Sequence, residues 1–337
     1  MATSTIACNC SSIGQFGKLL IEPSGTAPRT FTSGSERVEF VYEKIGTKRA
    51  LQFTNSITGT PSRFITGVRE HSYLTQGVIA VQASPANLAL WFPRIFGGTQ
   101  GAEGTGTGTD VDSDGKDRNY SLGNTLPSFD ALVYREAGIF QYTNLKVAQA
   151  LLRGKTSNGG EGNEFIELII VVIGEQEIIT QSGGGPWPAT EPSLPNGVVN
   201  LPYAYWESKL FLNSIELDSE EFTLIVDNQL SVKFFNHKYP TCVRSTGRTV
   251  TLNAKLPFTC SGLAQSLLLN TTTGTAEIRL ATPSTVTFHS SVRLPYARST
   301  FNTPVIEGKQ DIPLDISVEG YSSAGNDEAV VTNDHAT

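Results

Sequence analysis

The sequence predicts a mainly β protein that consists of two tandem β domains, each with one short α-helix. Its 337 residues suffice for two domains with hydrophobic cores of their own. Its 32 glycines and single methionine suit many short strands joined by turns. The third and strongest observation is an alternating segment that occurs twice.

The repeated segment has an apolar residue at every second position and ends at a glycine, which predicts a strand with one buried face. The first occurrence runs through Ile166, Leu168, Ile170 and Val172 to Gly174, and the second through Ile312, Leu314, Ile316 and Val318 to Gly320. The two occurrences are 146 residues apart. A fixed step of this kind indicates a repeated structural unit and favours an assembly protein over an enzyme.

Further upstream, the repeat predicts an insertion in the first copy. Asp130, Leu132 and Tyr134 keep the step of 146 residues to Ala276, Ile278 and Leu280. The segment 78–81 aligns with 250–253, which is 172 residues later, and the difference of 26 residues is assigned to the polar stretch at about 97–125. The predicted organisation is a first domain at 1–180 that contains this insert, a Gly- and Pro-rich linker at 181–202, and a second domain at 203–337.

In the first domain, a polar arm at 1–12 precedes a series of alternating segments. They predict strands at Lys18–Glu22, Arg37–Glu43, Ala50–Asn55, Gly77–Gln82, Phe129–Arg135 and Phe165–Gly174. One helix is expected after Ser84, which suits the N-cap, and before Gly97, which suits the C-terminus. Pro85 suits its first position, whereas Pro93 predicts a kink or an early stop. The apolar face of this helix comprises Leu88, Trp91, Phe92 and Ile95.

The second domain repeats this plan. Strands are predicted at Lys209–Leu217, Phe222–Asp227, Leu230–Phe235, Thr249–Leu256, Thr275–Ala281, Ser284–Ser290 and Asp311–Gly320. A helix at Ser261–Asn270 takes the place of the first domain's helix. Residues 322–337 are expected to form a polar tail.

Charge and hydropathy argue against several classes of protein. The net charge of −7 opposes a nucleic-acid-binding surface, which needs a basic face. No apolar run approaches the roughly 18 residues of a membrane-spanning segment, and no basic segment precedes an apolar one at the N-terminus, so synthesis in the cytoplasm is expected. The cysteines at 8, 10, 242 and 260 lack zinc-ligand spacing. We expect reduced thiols, with a cross-link from Cys8 or Cys10 to a neighbour as the alternative.

The sequence contains no recognisable catalytic motif, so neither enzymatic activity nor a cofactor is expected. Its four histidines are scattered, and it has no P-loop and no nucleophile elbow. Asp110, Asp112 and Asp114 match the start of an EF-hand-type calcium loop, although Ser121 stands where a bidentate glutamate belongs. A solvated acidic loop is expected here, with a calcium site as the alternative. The acidic cluster at 216–227 is likewise expected to be a solvated turn rather than the carboxylate pair of a glycosidase.

Several short motifs resemble the tail tube proteins of tailed bacteriophages. They are found at 59–63, 77–81, 84–88 and 96–98 in the first half, and at 222–228, 238–241, 247–252 and 308–320 in the second. Most members of this family carry one tube domain and form hexameric rings. Some members from long, non-contractile tails carry two tube domains in tandem and form trimers with pseudo-sixfold symmetry. With its internal repeat, this chain is similar to the second group.

The resemblance implies a tail-tube-like β-sandwich or half-barrel in each domain and a structural role in the virion. Trimeric rings would stack around a channel through which DNA passes, in contact with a tape measure protein and with terminator or tip proteins, and without a membrane. Neighbouring subunits would pair the open strand edges. Acidic residues on or near strands are the candidates for the channel wall, where they would repel DNA. These candidates are Glu39, Glu43, Glu167, Asp218 and Asp227.

Two alternatives stay open at this point. The first is another tube-like tail component such as a tail terminator, although such proteins usually have one domain per chain. The second is a carbohydrate-binding or hydrolytic β-sandwich, in which Trp91, Trp187 and Trp206 would stack on sugar rings.

Overall fold

The computed structural model describes residues 17–24, 31, 35–53, 68–98, 118–120, 122–135, 138–156, 164–181, 187–188, 190–194, 200–282, 289–301, 313–322 and 328–333. Over these residues the protein is mainly β, and eighteen of its strands are connected through hydrogen-bonded pairs. The first half contains β1 (Lys18–Pro23), β2 (Glu36–Val38), β3 (Tyr42–Glu43), β4 (Gly46–Phe53), β5 (Val68–Gln82), α1 (Pro85–Phe96), β6 (Arg118–Tyr120), β7 (Phe129–Tyr134), β8 (Gly138–Lys155), β9 (Glu167–Gly174) and β10 (Gln176–Gln181).

The second half begins with a 3₁₀ turn at Tyr205–Glu207. It contains β11 (Ser208–Leu212), β12 (Ile215–Leu217), β13 (Glu221–Asp227), β14 (Leu230–Lys233), β15 (Cys242–Ser245), β16 (Thr249–Pro257), α2 (Cys260–Thr271), β17 (Gly274–Ala281), β18 (His289–Phe301), β19 (Pro313–Gly320) and β20 (Val330–Asn333).

Each half is a sandwich of two antiparallel sheets that share one long strand. In the first half the flanking sheet has the order β2–β1–β7–β8–β10, and the other sheet has the order β4–β5–β9–β8. In the second half the corresponding orders are β12–β11–β17–β18–β20 and β13–β16–β19–β18. The shared strands β8 and β18 therefore pass from one sheet of their sandwich into the other.

A glycine marks the point in each half where the partner of the shared strand changes sheet. β9 ends at Gly174, and β10 continues from Gln176 along the same partner. A Cβ atom on Gly174 would lie 2.6 Å from Leu145 Cδ2 and 3.0 Å from the Thr143 carbonyl oxygen. A Cβ atom on Gly320, at the end of β19, would lie 2.6 Å from the Glu328 carbonyl oxygen. Both glycines of the repeated segment are therefore explained by a close approach of the chain.

Strand pairing relates the two halves residue by residue. Ile170 of β9 lies opposite Ile79 of β5, and the equivalent Ile316 of β19 lies opposite Ala254 of β16. Ile79 and Ala254 are 175 residues apart, and the first residues of α1 and α2 are separated by the same step. The expected step of 172 residues is wrong, because it would make Thr251 the equivalent of Ile79, and the side chain of Thr251 points away from the core. Because side chains alternate between the two faces of a strand, an error of three positions assigns every residue to the wrong face.

The two helices occupy equivalent places between β5 and β7 and between β16 and β17. Ser84 caps α1, since its Oγ accepts a hydrogen bond from the Asn87 amide at 3.2 Å, and Gly97 ends it with φ 74°. Pro93 does not end the helix early, because α1 continues to Phe96. Trp91 is fully buried and packs edge-on against Phe129 at 5.5 Å. The helices thus cover one end of the core in each sandwich.

One hydrophobic cluster extends through both halves. It includes the inward residues of β9 and β19, which alternate with half-exposed or exposed residues along each strand. A smaller cluster of Leu20, Phe31, Leu132 and Ile139 lies on the opposite face of the first flanking sheet. Because the large cluster is continuous, the two sandwiches are packed together as well as repeated.

The strands and the polar tail expected from the sequence differ in part from the structure. The long strand β8 was absent from the predicted strands, because a bulge between Val147 and Gln149 and a positive φ at Asn144 interrupt its alternation. The tail expected at 322–337 contains β20, which pairs with β18 and with β6. In the linker range, Trp187 packs against Tyr134 and Glu191 lies 2.8 Å from Lys18, so the described part of this range contacts the first flanking sheet.

Candidate assembly surface

The two halves are joined by a strand pair that continues one sheet into the other. Residues 149–155 of β8 pair antiparallel with residues 221–227 of β13, with seven consecutive partners. The result is a continuous sheet with the order β4–β5–β9–β8–β13–β16–β19–β18, which we call the junction sheet. A Cβ atom on Gly154 would lie 2.9 Å from Phe222 and 2.8 Å from Tyr205, so a glycine lets these aromatic rings close over the junction.

Two polar side chains fix one end of this junction against α1. Asn228 Nδ2 donates to the carbonyl oxygens of Ile95 at 2.9 Å and Val147 at 3.1 Å. Arg248 Nη2 donates to the carbonyl oxygens of Phe96 at 2.8 Å and Gly123 at 3.0 Å. These contacts satisfy carbonyl groups at the end of α1 that lack partners within the helix. Sequence reasoning missed both residues, because they are distant from α1 in the sequence and no local motif indicates which helix they cap.

The junction sheet has an outer edge at each end. At one end, β3 and the start of β4 pair with β5 alone among the described residues. At the other end, residues 298–301 of β18 pair with β19 alone among the described residues. The first edge corresponds to β13, because both pair with equivalent residues of β5 and β16. Residues 298–301 correspond to residues 146, 147, 149 and 150 of β8, and the last two of these pair with β13. The outer edges are therefore equivalent to the two strands that already pair at the internal junction.

The face of the junction sheet that points away from the core carries both signs of charge. On β8, β9, β13, β16, β18 and β19, five carboxylates and five cationic side chains occupy this face. They are Glu167, Glu221, Asp227, Asp315 and Glu319, with Lys146, Arg153, Lys155, Lys255 and Arg298. Several form ion pairs, such as Arg153 with Glu167 at 2.7 Å. We call this surface the open face.

The five acidic channel candidates lie in different surroundings. Glu167 and Asp227 are on the open face. Glu43 is held by two hydrogen bonds from Arg135, at 2.6 and 2.7 Å, and its side chain is only 8% exposed. Glu39 accepts a hydrogen bond from Asn200 at 2.8 Å and lines a polar cavity beside β1 and β2. Asp218 is exposed in the turn before β13. The open face therefore brings together two of the five.

The other site candidates either lie outside the described residues or do not come together in one site. Asp110, Asp112 and Asp114 lie outside the described residues, as do Cys8 and Cys10. Within the described part of the chain, no group of three or more potential ligands could hold a metal ion. Of the three tryptophans, Trp91 is buried, Trp187 packs on Tyr134, and Trp206 is 59% exposed. They therefore do not form a shared platform for a sugar.

The described helices include none that is long and apolar enough to cross a lipid bilayer. A scan of the sequence against models of known protein families gives no match, and no curated protein matches it either.

Proposed function

We propose that this chain is the structural subunit of a phage tail tube, without catalytic activity, and that three copies close into a ring of six similar sandwiches. The observation that carries the proposal is the equivalence of the open outer edges to the strands of the internal junction. If β18 of one copy pairs with β4 of the next, the contact repeats the internal junction. Such head-to-tail contacts close into a ring when the rotation per unit divides a full turn.

The internal junction also predicts the register of this contact. Gln149 lies opposite Asp227 across the internal junction. By its partners, Gln149 is equivalent to Thr300, and Asp227 is equivalent to Lys48. Thr300 of one subunit should therefore lie opposite Lys48 of its neighbour, and Phe301 should lie opposite Thr47. Closure in this register removes the exposed strand edges, which would otherwise favour uncontrolled association.

The open face supports a role as the channel wall. Its carboxylates and cations balance, so the surface offers no continuous basic track to hold the phosphate backbone of DNA. A balanced surface of this kind, like an acidic one, allows DNA to pass without being retained. Contacts with a tape measure protein, with terminator or tip proteins and with transiting DNA belong to the same proposal.

Negative-stain microscopy and disulfide trapping test the proposal. In a background with the four native cysteines replaced by serine, Thr300→Cys with Lys48→Cys should form an intersubunit disulfide. Opposite Cα atoms in antiparallel strands lie about 4.5–5.5 Å apart, which suits a disulfide. Covalent species up to trimers should appear on a non-reducing gel, and micrographs should show rings or tubes with a central channel.

The matched control is Arg298→Cys with Lys48→Cys, which places the thiols diagonally at about 7–8 Å or more and should cross-link poorly. Rings without the Thr300–Lys48 disulfide would show that the register is wrong. A discrete monomer that binds glycans would overturn the tube and favour the carbohydrate-binding alternative.

A further inference from the structure

The hairpin β14–β15 is a basic projection at one end of the junction sheet. It continues from the end of β13 and returns into the start of β16. Residues 228–248 include Lys233, Lys238 and Arg244 but no carboxylate. Near its tip Phe235 is 72% exposed, which is the largest exposure among the large apolar side chains of the described residues. A cationic hairpin with an uncovered aromatic ring is suited to contact another protein surface.

The hairpin is held in place by contacts with the first half. The Lys238 carbonyl accepts a hydrogen bond from the Tyr73 amide at 2.8 Å, and the Tyr239 ring stacks on Tyr73 at 5.1 Å. Lys146 Nζ donates to the Val243 carbonyl at 2.8 Å. Lys238 also lies 3.7 Å from Glu70. Because these contacts orient the hairpin before any partner arrives, little ordering is required on binding.

The opposite end of the same strands is acidic. β13 begins at Glu221, next to Glu220, and the turn before it contains Asp218. Lys155 and Lys255 lie within 4.0 Å of Glu221 and Glu220, respectively. Glu164 and Asp218 have no salt-bridge partner among the described residues. We call this surface the acidic end.

Exposed aromatic side chains accompany the acidic end, as Phe235 accompanies the hairpin. Phe165 is 51% exposed, Trp206 is 59% exposed and Phe258 is 44% exposed. Phe165 precedes β9, Phe258 follows β16, and Trp206 lies in the 3₁₀ turn whose Tyr205 bonds to Ser219. The two ends of the junction sheet are thus complementary in charge, and each carries exposed aromatic surface.

From this complementarity we infer that the β14–β15 hairpin of one subunit docks on the acidic end of a second copy of this chain in the next ring. The inference rests on the proposed function, because it assigns the contact between rings rather than the contact within a ring. In this contact Lys233 and Arg244 face Glu164 and Asp218, and Phe235 packs against the exposed aromatic side chains of the acidic end. Since the two ends differ, rings stack in one direction only, which gives an unlimited head-to-tail series.

Charge reversal at the hairpin tests the contact. Lys233→Glu with Arg244→Glu should leave single rings intact and abolish stacks longer than one ring in micrographs and in sedimentation. Adding Glu164→Lys and Asp218→Lys to the same chain restores the opposite signs at the interface and should restore stacks. Lys209→Glu reverses a lysine with a 57% exposed side chain on the flanking sheet, and it should stack like the wild type.

The outcomes separate this contact from the proposed function. Stacks of normal length in the double reversal variant would overturn the docking assignment while leaving the ring intact. Failure of the fourfold variant to stack, with single rings preserved, would also count against these residue contacts. If the wild type forms no rings at all, the tube itself is wrong. Wild-type stacks should also shorten between about 0.1 and 1 M salt, because the screening length falls from about 10 to about 3 Å.

Discussion

Strands β9 and β19 occupy the same position in the two halves. Their residue types agree on the face that packs against the core and differ on the open face. The core-facing residues Leu168, Ile170 and Val172 correspond to Leu314, Ile316 and Val318. On the open face, Ile169, Val171 and Ile173 correspond to Asp315, Ser317 and Glu319. The core face is constrained by packing in both halves. The open face has no such constraint within the chain, so its composition reflects what it contacts outside.

The largest expected effect comes from a charge on the shared core face. Ile170→Asp places a carboxylate at a fully buried position without a cationic partner. We expect the free energy of unfolding to fall by about 3–5 kcal/mol, the cost of an uncompensated buried charge. Ile316→Asp, at the equivalent buried position of β19, should cost a similar amount. Urea denaturation of both variants measures this, and a loss below about 1 kcal/mol would contradict the equivalence of the two core faces.

The next effect distinguishes the two glycines at the bends. Gly320→Ala should cost about 1–3 kcal/mol, since its Cβ would meet the backbone oxygen of Glu328 at 2.6 Å. Gly174→Ala should cost less, because its nearest contact is the Leu145 Cδ2 methyl group, which can rotate away. Gly46→Ala is the matched control, as its Cβ would have no heavy atom within 4 Å. Thermal unfolding of the three variants gives the order, and equal losses at Gly46 and Gly320 would refute the steric explanation.

The two halves also differ at a buried tyrosine, Tyr142, which should affect the free energy of unfolding at alkaline pH. Tyr142 donates a hydrogen bond to the Ile45 carbonyl at 2.8 Å. The equivalent position in the second half is Leu294, because the bulges after Phe129 and Gly274 align β7 with β17 at a step of 145 residues instead of the expected 146. Burial raises the pKa of Tyr142 above its ordinary value of about 10. The unfolded chain therefore loses this proton first, and the free energy of unfolding falls as the pH rises past about 10.

Tyr142→Phe tests this account, because it removes the titrating group while keeping the ring. At neutral pH we expect a loss of about 1–2 kcal/mol from the lost hydrogen bond. Above pH 10, the part of the alkaline destabilisation that comes from Tyr142 should disappear. Chemical denaturation at pH 7 and at pH 11 measures both effects. An unchanged slope between the two pH values would show that Tyr142 does not titrate in this way.

How far the sequence predicted the structure depends on how regularly each strand alternates. The core face of β19 was evident, since Leu314, Ile316 and Val318 alternate with polar residues. Residues 168–173 of β9 are all apolar, so its core face followed only from the repeat. β8 was missed, because its bulge after Val147 breaks the period within the strand that joins the two halves. The equivalence of Ile79 and Ala254 was also missed, because residues 78–81 are all apolar and can be aligned with the alternating residues of β16 in either register. Only the hydrogen-bonded partners decide that register.

The candidate surface was predictable in part for a related reason. Glu167 could be placed on the open face because it precedes Leu168, whose counterpart Leu314 in the alternating strand β19 faces the core. Glu43 could not, since its burial depends on Arg135, which is distant in the sequence. The acidic cluster at 216–227 was evident in the sequence, whereas the basic hairpin was missed, because its cations are widely spaced. Their positions at opposite ends follow only from the pairing of β13 with β16.

The smallest effect on stability, and the most direct test of the opening comparison, is to give β9 the open face of β19. The triple variant Ile169→Asp, Val171→Ser, Ile173→Glu keeps every core contact, so the free energy of unfolding should change by less than about 1 kcal/mol. If the apolar open face of β9 contacts a partner inside the tube, the variant should still form rings and stacks but lose that partner in pull-down experiments. The reverse variant, Asp315→Ile with Ser317→Val and Glu319→Ile, should also fold and should keep the partner, since β9 is unchanged. A triple variant that unfolds would show instead that the open face of β9 is covered within the chain, and the division into a packing face and a contact face would then fail for the first half.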